Sequence, residues 1–210
     1  MPQEPILLVG AGGHARACID VIEQEGRFFI IGLVGKETEV GSTLLGYSVL
    51  GTDDELPSLL CKSPNALVTI GQIKTQEHRV RLFNLLSQTG FELPAVVSPY
   101  AYVSPHATLA AGTIVMHGVV VNSGSIVGKN CIINSQALLE HDSVISDHCH
   151  ISTSAIINGA VHVGAGTFIG SGSIIKQGIT IGKQCVIGMG QSVRYNCEAN
   201  TALPRKKGLK

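Results

Sequence analysis

"VMHGVVVNSGSIVGKNCIINSQALLEHDSVISDHCHI", residues 115–151, carries an aliphatic side chain at every sixth position: Val115, Val121, Val127, Ile133, Leu139, Ile145 and Ile151. The phase extends back to Val97 and forward to Val193, seventeen consecutive aliphatic positions in all. Aliphatics of this kind make up about a quarter of an average chain, so the run is a genuine internal repeat. Four positions after each aliphatic stands a small or compact residue, as at Ala101, Thr113, Ser125, Cys131, Ala137 and Cys149. Side chains at alternate positions of a short strand point the same way. A turn every six residues then folds three strands into one triangular coil of eighteen. Cys131 and Cys149 stack one coil apart, with Thr167 and Cys185 continuing the column, and their expected role is packing. No insertion interrupts the count, so any catalytic site must be built from the coil surface.

The 210 residues carry no formal net charge and are 44% hydrophobic, which gives enough apolar material for a core and no electrostatic bias toward nucleic acid or an anionic membrane. Residues 93–128 contain no Lys, Arg, Asp or Glu, but Pro, Gly, Ser and His break the stretch too often for a spanning helix. "MPQEPILLVG" lacks the basic region and cleavage site of a secretory signal. The six cysteines show no C-x-x-C spacing, so a cytoplasmic chain without a disulfide framework is expected.

Toward the N-terminus, "ILLVG" (residues 6–10) reads as a buried strand, "AGGHARACIDVIEQEG" as a turn and helix ending at Gly26, and "FFIIGLVG" as the next strand. In this βαβ unit Gly10, Gly12 and Gly13, with His14 beside them, form a glycine turn whose backbone N–H groups suit a phosphate. The alternative is a turn that only packs helix on strand. A nicotinamide site would want an acidic residue after the second strand and a second half-domain. Gly35 and Lys36 stand there instead, which favours a single nucleotide or a nucleotide sugar.

"LLEHDSVI" (residues 138–145) sets three ionisable side chains into the repeat. His141 suits a general base, because an unperturbed imidazole is largely neutral near pH 7. Asp142 is the carboxylate expected to hold its other ring nitrogen, with Glu140 in reserve because strand neighbours face opposite ways. Gly159 lies one coil beyond His141, where a missing side chain leaves room for a ligand or merely serves a turn with a positive backbone angle. His106, His117, His148 and His162 read as turn or surface residues. The three-histidine zinc site of the hexapeptide-type carbonic anhydrases uses two histidines five residues apart, a spacing absent here, so no metal is expected.

The repeat from about residue 95 to 195 resembles the left-handed parallel β-helix of the hexapeptide acyltransferases. With "VGAGGHARACIDVI", "GTDDEL", "VTIGQ" and "NSQALLEHDSVISDHCHIS", nearly the whole chain is similar to the sugar O- and N-acetyltransferases of the sialic-acid and bacillosamine pathways. That resemblance implies an α/β Rossmann-like sugar-nucleotide domain (residues 1–92) and a left-handed parallel β-helix (residues 93–198), which a basic tail (residues 199–210) follows. It implies acetyl-CoA as co-substrate, His141 and Asp142 as catalytic base and partner, and Asn134, His150 and Gly159 near the coenzyme. The expected reaction is acetylation of an amino group on a nucleotide-linked sugar in bacterial surface-glycan biosynthesis, by a homotrimer with sites between subunits. Two alternatives stay open: O-acetylation of a sialic-type sugar, and a non-catalytic structural or binding coil. The family's acidic pair after the second strand is replaced by Gly35 and Lys36, and its "GxPAK" ending by "TALPRKKGLK".

Overall fold

The computed structural model describes residues 2–204. Its first part is a small sheet built around the βαβ unit: β1 (Glu4–Val9), α1 (Gly13–Glu25) and β2 (Phe28–Val34). There follow β3 (Thr43–Leu44), β4 (Tyr47–Gly51), the short α2 (Leu56–Leu59), β5 (Asn65–Val68) and α3 (Glu77–Thr89). The sheet order is β3-β4-β2-β1-β5, parallel except for the β3–β4 hairpin. Ala15, Cys18, Ile19 and Ile22 fall at helical spacing on the buried side of α1, and Gly26 ends the helix at φ 74°, a left-handed conformation that costs glycine little. β1 has β2 on one side and β5 on the other, so the crevice at its carboxyl end is the switch point where α/β sheets bind ligands.

From Val96 onward the chain is a left-handed parallel β-helix of two-residue strands joined by turns. Each strand pairs with the one eighteen residues on, as in Val121↔Leu139 and Leu139↔Ile157. The second residue of each strand points inward. Thr113, Cys131, Cys149, Thr167 and Cys185 do more than pack: each donates its O–H or S–H to a carbonyl of the next coil, Cys131 and Cys149 to Ser146 and Gly164 at 3.2 Å. The last coil is two residues short, since Val186 pairs with Ala202. Ala202–Leu203 therefore adds a strand beyond residue 198, and residues 205–210 of the expected tail lie outside the described residues.

The three faces of the prism differ in what lies on them. On one, the outward residues Val96, Ile114, Ile132, His150 and Phe168 are buried, because the N-terminal domain covers them. On the second, Tyr102, Val120, Leu138, Ile156 and Ile174 form an apolar stripe with Tyr102 and Ile174 exposed. The third is mixed: Thr108, Ile126, Val144, His162 and Thr180.

Polar groups tie the covered face to its lid. Buried Arg79 of α3 donates to Gln72 Oε1 at 2.7 Å and to the Asn130 carbonyl, while Gln72 Nε2 donates to the Gly166 carbonyl at 2.9 Å. His117 donates from Nε2 to Asp20 of α1 at 2.9 Å, and the His148 ring meets Phe83 of α3 edge-on. His117 and His148 stand in turns, as expected from sequence, and in addition contact the N-terminal domain; His106 and His162 are exposed. No helix among the described residues is long and apolar enough to cross a membrane.

Candidate active site

His141 and Asp142 occupy the turn between the apolar and mixed faces, the one corner of the prism that does not border the covered face. Asp142 has φ 58°, a left-handed conformation, so the two neighbours do not alternate as they would on a strand. His141 Nδ1 lies 2.9 Å from Asp142 Oδ2, and both side chains are more than half exposed. A carboxylate only accepts, so Nδ1 is the donor in this pair. Glu140 takes no part in this pair, because it accepts from Asn122 Nδ2 at 2.9 Å.

Two glycines shape the corner, one coil below the pair and one above. A Cβ on Gly124 would strike the Asp142 carboxylate, and one on Gly159 would lie 2.5 Å from His141 Nε2. The His141 imidazole packs against the bare Gly159. Gly159 is not needed for a positive φ, because Ala160 takes that conformation at 54°. Nε2 thus lies beside the bare Gly159 backbone.

Asn134 and His150 form a separate pair. Asn134 Nδ2 lies 3.2 Å from His150 Nε2, and His150 Nδ1 donates to the Gln72 carbonyl at 2.7 Å. Burial beneath the N-terminal domain lowers the His150 pKa to about 4, so the ring is neutral with both nitrogens occupied. His14 packs beside it, ring centroids 6.5 Å apart, and burial lowers its pKa to about 4 as well. The structure therefore sets His14 with His150 and keeps both away from the His141 corner.

The switch-point crevice is a cavity of about 680 Å³ whose walls include Gly10, Gly12, Gly35, Lys36, Asp54 and Arg81. Gly12 caps α1 at its N-terminus, and nothing lies within 4 Å of a Cβ added at Gly12 or Gly13. The first turn of α1 holds no acidic residue, so its N–H groups face the opening unneutralised. Gly13 and His14 flank the turn without lining this cavity. An acid is nevertheless present after β2: Glu39 folds back, accepting from the Lys36 N–H at 2.8 Å. The bare Gly35 leaves room for that carboxylate. Its sequence signal was a Glu three residues past Lys36.

A family profile described as the PglD N-terminal domain matches residues 5–83, and one described as the hexapeptide repeat of succinyl-transferase matches residues 160–194. No curated protein sequence matches. Among solved structures, the chain is similar to PerB from Caulobacter crescentus in complex with CoA and GDP-perosamine, with 30% identity over 94% of this chain and 92% of that one and a TM-score of 0.88. A histidine-to-asparagine mutant of perosamine N-acetyltransferase from the same organism, also with CoA and GDP-perosamine, matches at 29% identity over the same shares of the two chains, TM-score 0.89. The acetyltransferase domain of PglB from Neisseria gonorrhoeae, in complex with acetyl coenzyme A, matches at 26% identity over 96% of each chain, TM-score 0.86.

Proposed function

The chain belongs to the hexapeptide-repeat sugar N-acetyltransferases, enzymes that move an acetyl group from acetyl-CoA to a nucleotide-linked sugar, and from that premise we propose how its own residues divide the work. His141 is the general base. Its Nε2 takes a proton from the sugar amine as the nitrogen attacks the thioester carbonyl, and the Asp142 carboxylate steadies the imidazolium that forms. The same proton then passes to the departing CoA sulfur. Gly159 borders the reaction, because its bare backbone lies next to Nε2 and holds no atom that would push the thioester away.

The nucleotide part of the acceptor belongs in the 680 Å³ cavity, with its phosphates at Gly12 and the N-terminus of α1. That cavity is in the domain covering one face, whereas His141 stands on the corner opposite that face. A homotrimer resolves the separation by bringing the corner of one subunit to the N-terminal domain of the next. The apolar stripe of Val120, Leu138 and Ile156, which the N-terminal domain leaves uncovered, supports such an assembly.

The observation that carries the reading is the hydrogen-bonded His141–Asp142 pair with Nε2 open toward Gly159. Mass spectrometry of a panel of nucleotide-linked amino sugars incubated with acetyl-CoA should find a gain of one acetyl group on the amine. His141→Ala should lower turnover roughly a hundredfold or more, the usual range for a positioned base. Near-normal turnover in a correctly assembled variant would remove His141 from that role.

A further inference from the structure

Arg79 of α3 is 2% exposed, yet among the described residues no carboxylate pairs with it and its Nε has no partner. A buried cation without a counter-ion is costly, and an apolar side chain of similar length would fill the space without that cost. Its terminal nitrogens go to neutral oxygens, Gln72 Oε1 and the carbonyl and side chain of Asn130. From Gln72 a chain of hydrogen bonds runs outward, and every link has one direction. The Gln72 side chain is held at both ends, accepting from Arg79 Nη1 at 2.7 Å and donating to the Gly166 carbonyl at 2.9 Å, which steadies its backbone carbonyl. That carbonyl only accepts, so His150 Nδ1 is the donor in their 2.7 Å contact. Burial keeps the ring neutral, so Nε2 accepts, and Asn134 Nδ2 donates to it at 3.2 Å. The Ser135 N–H donates to Asn134 Oδ1 at 2.8 Å and fixes the amide the same way round. An amide nitrogen carries two hydrogens, and the second on Asn134 Nδ2 is the one this chain leaves over.

Asn134 stands half-buried in the turn between the covered face and the apolar stripe. The inference rests on the shared-site reading above, in which that side of one subunit meets the His141 corner of the next. We propose that Arg79 is a positioning residue for acetyl transfer, holding Gln72, His150 and Asn134 in one arrangement that turns the second Asn134 N–H toward the bound acetyl-CoA. The thioester and the amide carbonyls of the coenzyme arm accept hydrogen bonds, and a donor oriented in advance needs no rearrangement when the reaction occurs. Without Arg79 the Gln72 side chain is free to turn, His150 can exchange its two neutral tautomers, and the Asn134 amide can rotate by half a turn and offer its oxygen instead.

A double-mutant cycle separates this role from packing. Arg79→Met keeps the length of the side chain and removes its donors. In the parent background it should lower kcat about tenfold or more, the range for losing hydrogen bonds to a charged group, and leave KM for the nucleotide sugar within about twofold. In an Asn134→Ala background the same change should cost less than about twofold, because the chain no longer ends in a donor. Arg79→Lys, which keeps a cation beside Gln72, should retain much of the parent kcat. Equal losses in both backgrounds, or a raised KM with kcat intact, overturn the assignment and leave Arg79 as a residue that only packs α3 on the coil. Imidazole nitrogen NMR spectra, with the His150 signals identified by their absence from His150→Gln, follow the ring itself. Its proton should sit on Nδ1 in the parent and be shared between the two nitrogens in Arg79→Met. A parent ring protonated on Nε2 overturns the assignment even if Arg79→Met does not fold, and so does a folded Arg79→Met that keeps the parent tautomer. A parent that shows the Nδ1–H ring but transfers no acetyl group would overturn the acetyltransferase reading and leave the hold of Arg79 on His150 standing.

Discussion

At Gly159 the eighteen-residue period foretells the neighbour but not the use made of the space. The register places Gly159 over His141, and that follows from counting. Which group fills the gap depends on the left-handed turn at Asp142 and the direction of the imidazole, and neither is encoded in a period. The same turn decides between the two candidate carboxylates, since it swings Asp142 beside His141 while Glu140 is taken by Asn122. A methyl at Gly159 is compatible with the backbone but would lie 2.5 Å from Nε2, so the ring must turn away. Gly159→Ala should accordingly lower kcat by about tenfold or more, within the range for displacing a positioned base. The acceptor KM should stay near its parent value and the melting temperature should change little. A weakened acceptor KM with kcat intact would mean that the glycine makes room for substrate instead of for the base.

Among the elements, the inward column of each face was legible because every coil demands an aliphatic residue there. The outward positions were not, since Ile126 and Ile132 have one chemistry and opposite fates. Ile126 is 51% exposed and Ile132 is buried, only because the N-terminal domain lands on one face. Nor does any local pattern announce Arg79, Gln72 or His150, whose partners lie 51 to 94 residues away. Burying His150 beneath that domain makes stability depend on pH. Its folded pKa of about 4 lies below the ordinary 6.5, so between these values the unfolded chain binds the extra proton. Stability from this group is complete above about pH 6.5 and declines as the pH falls toward 4, by about 2 kcal/mol at pH 5. Burial shifts His14 in the same direction. Urea midpoints measured at pH 7.5 and 5.0 should fall in the parent and fall less in His150→Gln, whose amide can still donate to Gln72. An identical drop in both proteins would assign the acid sensitivity to other groups.

For the whole molecule, the arrangement of faces determines which part of one chain can meet which part of another. The N-terminal domain occupies one face, and the His141 corner is the only corner that face does not border. Cutting the domain away would uncover Val96, Ile114, Ile132 and Phe168 together, so an isolated coil is a poor test of the division of labour. Point variants in the full chain avoid this. Gly12→Asp adds a side chain whose Cβ meets nothing within 4 Å, so it should spare the fold while its carboxylate repels the acceptor's phosphates. His141→Ala removes the proposed base. In the proposed homotrimer, either variant alone should be inactive. In trimers reassembled from equal amounts of the two chains, a site shared between neighbours is intact when a Gly12→Asp chain supplies the corner and a His141→Ala chain supplies the nucleotide pocket. Random assembly in a cyclic trimer meets that condition at about a quarter of the sites, so about a quarter of parent activity should return. If native mass spectrometry confirms mixed trimers and they stay inactive, each chain's own domain must serve its own His141, despite the face that separates them.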